Sequence, residues 1–206
     1  MRITIIGAGN MGRGIGTRAV GGGNEVEIID RNPGDARDLA DELGPKASVS
    51  REVNGEIVVL ALPYEQIAAA IQQYQGALAG RVVIDIANPL DWSSLGRVVT
   101  PEGSSSAEET AKRVPDGTAV VKAFNTTFAQ TLVAGEAAGE SLQVLIAGDD
   151  AGAKAKVACL VEAGGMRPID VGPLARARML EQTGLFHIAI QEQIGAGFAS
   201  ALKLHW

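Results

Sequence analysis

Ile3-Thr4-Ile5-Ile6-Gly7-Ala8-Gly9-Asn10-Met11-Gly12 decides the fold of this chain. Ile3 to Ile6 reads as a buried strand, Gly7, Gly9 and Gly12 form a G-x-G-x-x-G, and a helix-compatible stretch follows. Asp30 closes the next strand-like segment, eighteen residues after Gly12. In such a turn Gly7 permits the tight bend, Gly9 lets backbone approach a pyrophosphate, and Gly12 lets helix pack against strand. The unpaired N–H groups and dipole of the helix N-terminus then favour phosphate. In a chain with 26 glycines the bare motif says little. Between strand and helix, with Asp30 at the expected distance, it predicts a dinucleotide site rather than a glycine-rich turn of an unrelated α/β domain.

Outward from this turn, short Val- and Ile-rich runs alternate with helix-period segments. Strands are expected at Arg2–Ile6, Glu25–Ile29, Ile57–Leu62, Val82–Ile86, Ala119–Phe124 and Leu142–Ala147, with a further short one at Lys46–Val49. Helices are expected at Met11–Val20, Asp35–Leu43, Tyr64–Tyr74, Ser106–Val114 and Ala151–Glu162. This βαβα order with continuously apolar strands means an α/β, doubly wound, mostly parallel sheet covered on both faces. Pro89 to Ser106 is a long polar loop containing Trp92, and Ser104–Ser106 before Glu108 and Glu109 make a helix N-terminus. The tail, Pro173 to Trp206, is apolar on more than one side, which requires packing on the first domain or on a second subunit.

The 206 residues suit one domain with a small appendage. The net charge of −6, without a block of Lys or Arg, argues against a nucleic-acid partner. No apolar run reaches the roughly 20 residues that span a bilayer, and no signal-peptide pattern is present. Cys159 has no cysteine to pair with and is expected as a small buried apolar residue in a reducing, cytoplasmic compartment.

The strand ends expected to meet at one crevice are Gly7–Met11, Asp30–Asn32, Leu62–Tyr64, Ala87–Leu90 and Asn125–Thr127. Leu62-Pro63-Tyr64 either lines the path of a dinucleotide or only starts a helix. Asn88-Pro89 and Asn125-Thr126 bring amides and hydroxyls without a strong acid or base. Asp30-Arg31 carries a mixed message: a carboxylate there accepts from an adenosine ribose and favours NAD, whereas an Arg can hold the 2′-phosphate of NADP. His187, in an apolar segment, reads as packing, and no His, Cys or carboxylate cluster has metal-ligand spacing. Lys122, in the otherwise apolar strand Val120 to Phe124, either faces the cleft as a functional cation or snorkels from the sheet edge. No catalytic residue is assigned, and alcohol dehydrogenation would need a general base. Hydride exchange between two redox coenzymes needs mainly positioning and exclusion of water.

Together, Gly7 to Gly12, Ala61-Leu62-Pro63-Tyr64-Glu65, Asn88-Pro89-Leu90, Val120 to Thr126, Arg167 to Leu174 and Gly195 to Lys203 resemble the NADPH-dependent reductases of the deazaflavin coenzyme F420. Lys122-Ala123-Phe124-Asn125-Thr126 is also similar to the cytoplasmic domain of the six-transmembrane ferric reductases. The resemblance implies a Rossmann domain over residues 1–172 and a helical segment over 173–206 that closes the deazaflavin pocket and supports a homodimer. It implies that Ala8, Gly9, Asn10 and Met11 meet the pyrophosphate and Asp30-Arg31 the adenosine ribose. Tyr64 and Ala129 would line the NADP channel, and Asn88-Pro89, Asn125-Thr126 and the Gly195, Gly197, Ala199 stretch would border the deazaflavin and nicotinamide rings. The family's NADP-binding members usually carry Ser or Thr where Asp30 stands, which leaves NAD open as the alternative. Some members carry His where Asn125 stands, which leaves the partner coenzyme open. The implied activity is hydride transfer between NADP(H) and F420. The rivals are reduction of a flavin, an imine or another small molecule on the same fold, and a non-catalytic NAD(P) sensor.

Overall fold

In a computed structural model, which describes residues 1–205, the expected alternation becomes one eight-stranded sheet with helices on both faces. Trp206, the end of the predicted tail, lies outside the described residues. The first half runs β1 (Arg2–Ile6), α1 (Asn10–Gly21), β2 (Glu25–Ile29), α2 (Pro33–Leu43), β3 (Ala47–Val49), β4 (Ile57–Leu60), α3 (Tyr64–Leu78) and β5 (Val82–Asp85). The second half runs α4 (Ser106–Ala111), β6 (Ala119–Lys122), α5 (Ala129–Ala134), β7 (Glu136–Ala137), β8 (Glu140–Ser141), β9 (Gln143–Gly148), α6 (Ala151–Ala163) and β10 (Arg167–Gly172). A 3-10 turn (Leu174–Arg176), α7 (Ala177–Ala189) and α8 (Gln191–Ile194) complete the described chain.

The strand order is β3-β2-β1-β4-β5-β6-β9-β10. The first six strands are parallel, with Ile5 opposite both Ile28 and Val59. Because the order reverses at β1, a crevice opens beyond the carboxyl ends of β1 and β4. β9 pairs antiparallel with β6, and β10 parallel with β9, so the sheet is mixed at this edge. The chain returns from β6 through α5 and the β7–β8 hairpin instead of a single crossover helix, and therefore enters β9 reversed. α5, the hairpin and β10 are all absent from the sequence expectation. Pro168 and Asp170 disguise β10, which is an edge strand where proline is tolerated.

Alternating strand side chains feed two cores. Ile3, Ile5, Ile57, Val59 and Ile84 pack with residues of α1, α2 and α6. Ile6, Val58, Leu60 and Val83 pack with α3, with Ala107 of α4, and with Leu174 and Ala177 at the start of the tail. The tail buries Leu180 and Leu185 as well, while Met179 and Phe186 stay exposed. α4 ends at Ala111, earlier than expected, and begins as its serines suggest. Ser105 Oγ accepts from the Glu108 N–H and donates to its carboxylate, a capping box.

Two expectations fail. Cys159 is exposed, because the buried face of α6 runs through Ala153, Val157, Leu160 and Val161 and leaves position 159 on the solvent side. Lys122 neither faces an open cleft nor snorkels; its side chain is fully buried between two carboxylates. No helix among the described residues is long and apolar enough to cross a membrane.

Candidate coenzyme site

Gly7, at φ +114°, turns the chain from β1 into α1, and a Cβ there would collide with the Ala61 carbonyl. A Cβ on Gly12 would collide with the Gly7 carbonyl, so both glycines are required by packing alone. Gly9 differs: a Cβ there would meet nothing within 4 Å. It is the N-cap of α1 without a side-chain cap, and it borders open space. The first-turn N–H groups of Asn10, Met11 and Gly12 have no intrahelical acceptor and point a positive helix end at that space.

Two cavities meet at Gly9, Ala61, Leu62 and Pro63. The outer one, about 930 Å³, is bounded by Gly7, Ala8, Asp30, Arg31, Ser50 and Arg51. Asp30 is held by backbone: Ala8 N–H donates to Oδ2 at 2.8 Å and Asn32 N–H to Oδ1 at 2.9 Å. The Ala8 N–H is thereby committed to Asp30. The inner cavity, about 870 Å³, carries Met11, Tyr64, Trp92, Phe128 and Phe198 on its walls. Asn10, Asn88, Asn125, Ala129 and Gly197 also border it. Burial, then Glu109, pushes the Tyr64 phenol above its ordinary value, so it remains a donor at neutral pH.

Of the residues predicted from sequence, Gly12 and Pro89 are packed beneath the crevice, and Thr126, Gly195 and Ala199 line neither cavity. The Thr126 carbonyl instead faces His187 Nδ1 at 3.3 Å. Phe198 falls inside the expected Gly195–Ala199 stretch, while Trp92 and Phe128 are additions. Only Trp92 carried a signal, as the large aromatic of a long polar loop. Phe128 sits 4.3 Å from the His187 ring and meets Phe198 edge-on at 5.1 Å. His187 Nε2 lies 2.9 Å from Ser200 Oγ, which also donates to Gln191, so the 197–200 stretch is tied to α7 and α8 over the inner cavity. Burial lowers the His187 pKa, with the Thr126 carbonyl acting the other way.

Below Asn88 and Asn125 lies the buried ionic group. Lys122 Nζ is 2.9 Å from Asp85 Oδ1 and 2.8 Å from Glu181 Oε1, and also donates to the Ala87 carbonyl. Asp85 Oδ2 accepts from Ser106 and Thr110, and Glu181 Oε2 from the Ser106 N–H. Burial alone would lower the Lys122 ammonium, but Asp85 and Glu181 hold it above its ordinary value. Just above, Asn88 Nδ2 donates to the Asn125 carbonyl, while Asn125 Nδ2 donates to Asn88 Oδ1 and to the Leu180 carbonyl. Asn125 Oδ1 is buried and has no partner among the described residues.

A family model described as "NADP oxidoreductase coenzyme F420-dependent" matches residues 2–89. The F420-dependent NADP reductase of Methanothermobacter marburgensis is 31% identical over 201 residues, covering 88% of each chain. The chain belongs to the F420-dependent NADP reductase family. A crystal structure of a candidate F420-dependent NADP reductase from Arthrobacter sp. superposes with a TM-score of 0.87 at 29% identity, covering 99% of both chains. Metalloreductase STEAP3 of Rattus norvegicus is 33% identical over 180 residues, 87% of this chain, and the chain spans 36% of its length. Both relations named on the sequence motifs are thus found: the F420-dependent reductases and a metalloreductase. The match to the Methanothermobacter reductase extends beyond the glycine-rich half and across most of the chain.

Proposed function

We propose that this protein transfers a hydride between NADP(H) and coenzyme F420, holding the dinucleotide along both cavities and the deazaflavin ring in the inner one. The observation that carries the reading is the junction at Gly9, Leu62 and Pro63 of a charged outer cavity with an aromatic inner one. The shape and lining fit these ligands. Open space beside Gly9 and the uncapped start of α1 suit a pyrophosphate. The aromatic walls suit flat rings, and the unpartnered Asn125 Oδ1 adds an acceptor beside them. The coenzymes supply the chemistry, a hydride passing between nicotinamide and deazaflavin with one proton exchanged with solvent.

The chain's own contribution is placement. Gly9, Asn10 and Met11 hold the pyrophosphate, with Ala8 acting through Asp30 instead of directly. Asp30 and Arg31 take the adenosine ribose, and Tyr64, Asn88, Asn125 and Ala129 position the rings. The tail from Pro173 onward closes the inner cavity through Gly197 and Phe198 and limits the access of water to it. No general base is required of the protein. The exposed Met179, Phe186 and Ile194 on α7 and α8 favour a homodimer, and the cysteine without a partner suits a cytoplasmic setting.

Mixing purified protein with NADPH and oxidised F420 and following the deazaflavin absorbance tests the reading. Bleaching that depends on enzyme and NADPH is the expected result. No turnover at high enzyme concentration, with NADPH or NADH, overturns it.

A further inference from the structure

We infer that Arg51, from the loop after β3, is a second cation for the 2′-phosphate of the dinucleotide and sets the preference for NADP over NAD. The inference rests on the reading that the outer cavity takes the adenosine end. Asp30 poses the problem. A 2′-phosphate carries close to two negative charges at neutral pH, and a carboxylate beside it adds a third. Like charges in such proximity repel one another even where solvent screens them. Arg31 alone leaves this group strongly negative.

Sheet register supplies the missing charge. β2 and β3 pair in parallel, Val26 with Ala47 and Ile28 with Val49. The Ser50 N–H donates to the Ile28 carbonyl at 2.9 Å, the last rung of this ladder. Arg51 follows two residues after Val49, as Asp30 follows two after Ile28, and both border the outer cavity. Ser50 then fixes the turn: its hydroxyl donates to the Glu52 carbonyl at 2.8 Å and accepts from the Glu52 N–H at 3.1 Å. Arg51 therefore stands at the tip of a short hydrogen-bonded turn on the rim of the cavity that Gly7, Ala8 and Arg31 share.

The surrounding bonds leave both guanidinium groups available. Asp30 is engaged by the Ala8 and Asn32 N–H groups, not by either arginine. Among the described residues neither Arg31 nor Arg51 has an ion pair or a side-chain hydrogen bond, unlike Arg2, Arg13, Arg97 and Arg178. Two unpaired arginines on the cavity that also holds a backbone-bound carboxylate suit a dianion and offer an unphosphorylated ribose nothing extra. Guanidinium forks suit phosphate oxygens in particular.

Dissociation constants of NADPH and NADH, read from nicotinamide fluorescence without F420, test this for the wild type, Arg51→Gln and Arg51→Lys. Arg51→Gln is expected to weaken NADPH about tenfold, the equivalent of one charge-assisted hydrogen bond, and NADH less than about twofold. Arg51→Lys should recover part of the loss, and 2′-AMP should compete with NADPH less well against Arg51→Gln than against the wild type. An unchanged NADPH-to-NADH ratio in Arg51→Gln, or equal weakening of both, overturns the inference. If the ratio shifts as expected but F420 is never reduced, the inference stands and the proposed reaction fails.

Discussion

The Lys122 ammonium lies 2.8 Å from the Glu181 carboxylate, both side chains buried, and this contact joins the end of β6 to the tail helix α7. Asp85 completes the group from β5, so two strand ends and the tail meet at one cation beneath Asn88 and Asn125. Burial raises the Glu181 pKa, with Lys122 drawing it back down. A buried ion group of this kind matters most when one partner is removed. Lys122→Met would strand two carboxylates in the core, at a cost of about 3–5 kcal/mol. Glu181→Gln keeps the shape and leaves Lys122 paired with Asp85, at a cost of about 1–2 kcal/mol. Thermal melts should show Lys122→Met lowered by roughly 10 °C or more and Glu181→Gln by much less. Equal losses would mean that the charges contribute nothing beyond packing.

Gly184 on α7 faces the Asn88 carboxamide so closely that a Cβ would fall 2.5 Å from Oδ1. Gly184→Ala must therefore displace Asn88 and break its reciprocal pairing with Asn125. The outer cavity is untouched by this change. The expected outcome is a rise in KM for F420, or a fall in kcat, of about tenfold, with the NADPH dissociation constant moving less than about twofold. Steady-state kinetics and a binding titration separate the two. Unchanged F420 kinetics would show that Asn88 does not position the ring.

Glu109 gives the stability a pH dependence. The Lys112 hydrogen bond, then Ser104 and Arg113, hold its carboxyl at about 2, against an ordinary 4.5. A carboxyl depressed by folding contributes stability that is full above its unfolded value and is lost as pH falls towards its folded one. The melting temperature of the wild type should thus exceed that of Glu109→Gln at pH 6, and the gap should close between about pH 4.5 and pH 2. A gap independent of pH would mean that the charge of Glu109 is not what stabilises α4.

Much of the fold was legible because its signals are local. Gly12 is required by a contact within one strand-turn-helix unit, the Gly7 turn has the positive φ that favours glycine, and β1 and β2 have the bounds that their apolar runs suggest. Inner strands buried on both faces show as unbroken Val and Ile. β10 escaped for the opposite reason: an edge strand tolerates proline and charge, so Arg167 to Gly172 does not look like one. β4 and β6 stop two residues before their apolar runs do. Leu62 and Phe124 are apolar because they wall or underlie the crevice, not because they pair.

The site divides in the same way. The motifs around Gly9, Asp30, Tyr64, Asn88 and Asn125 could be read along the chain, since each sits at a strand end and strand ends converge in this topology. The sequence by itself determined the parallel core of the sheet, the glycine turn and the class of ligand that such a turn admits. Only the tertiary structure decided the partners of Lys122, the approach of Gly184 to Asn88, the aromatic wall of Phe128 and Phe198, and the place of Arg51 on the cavity that Asp30 borders. Those relations join residues tens of positions apart whose spacing carries no periodic signal. They exist only once β2 has found β3 and the tail helix has docked on the sheet.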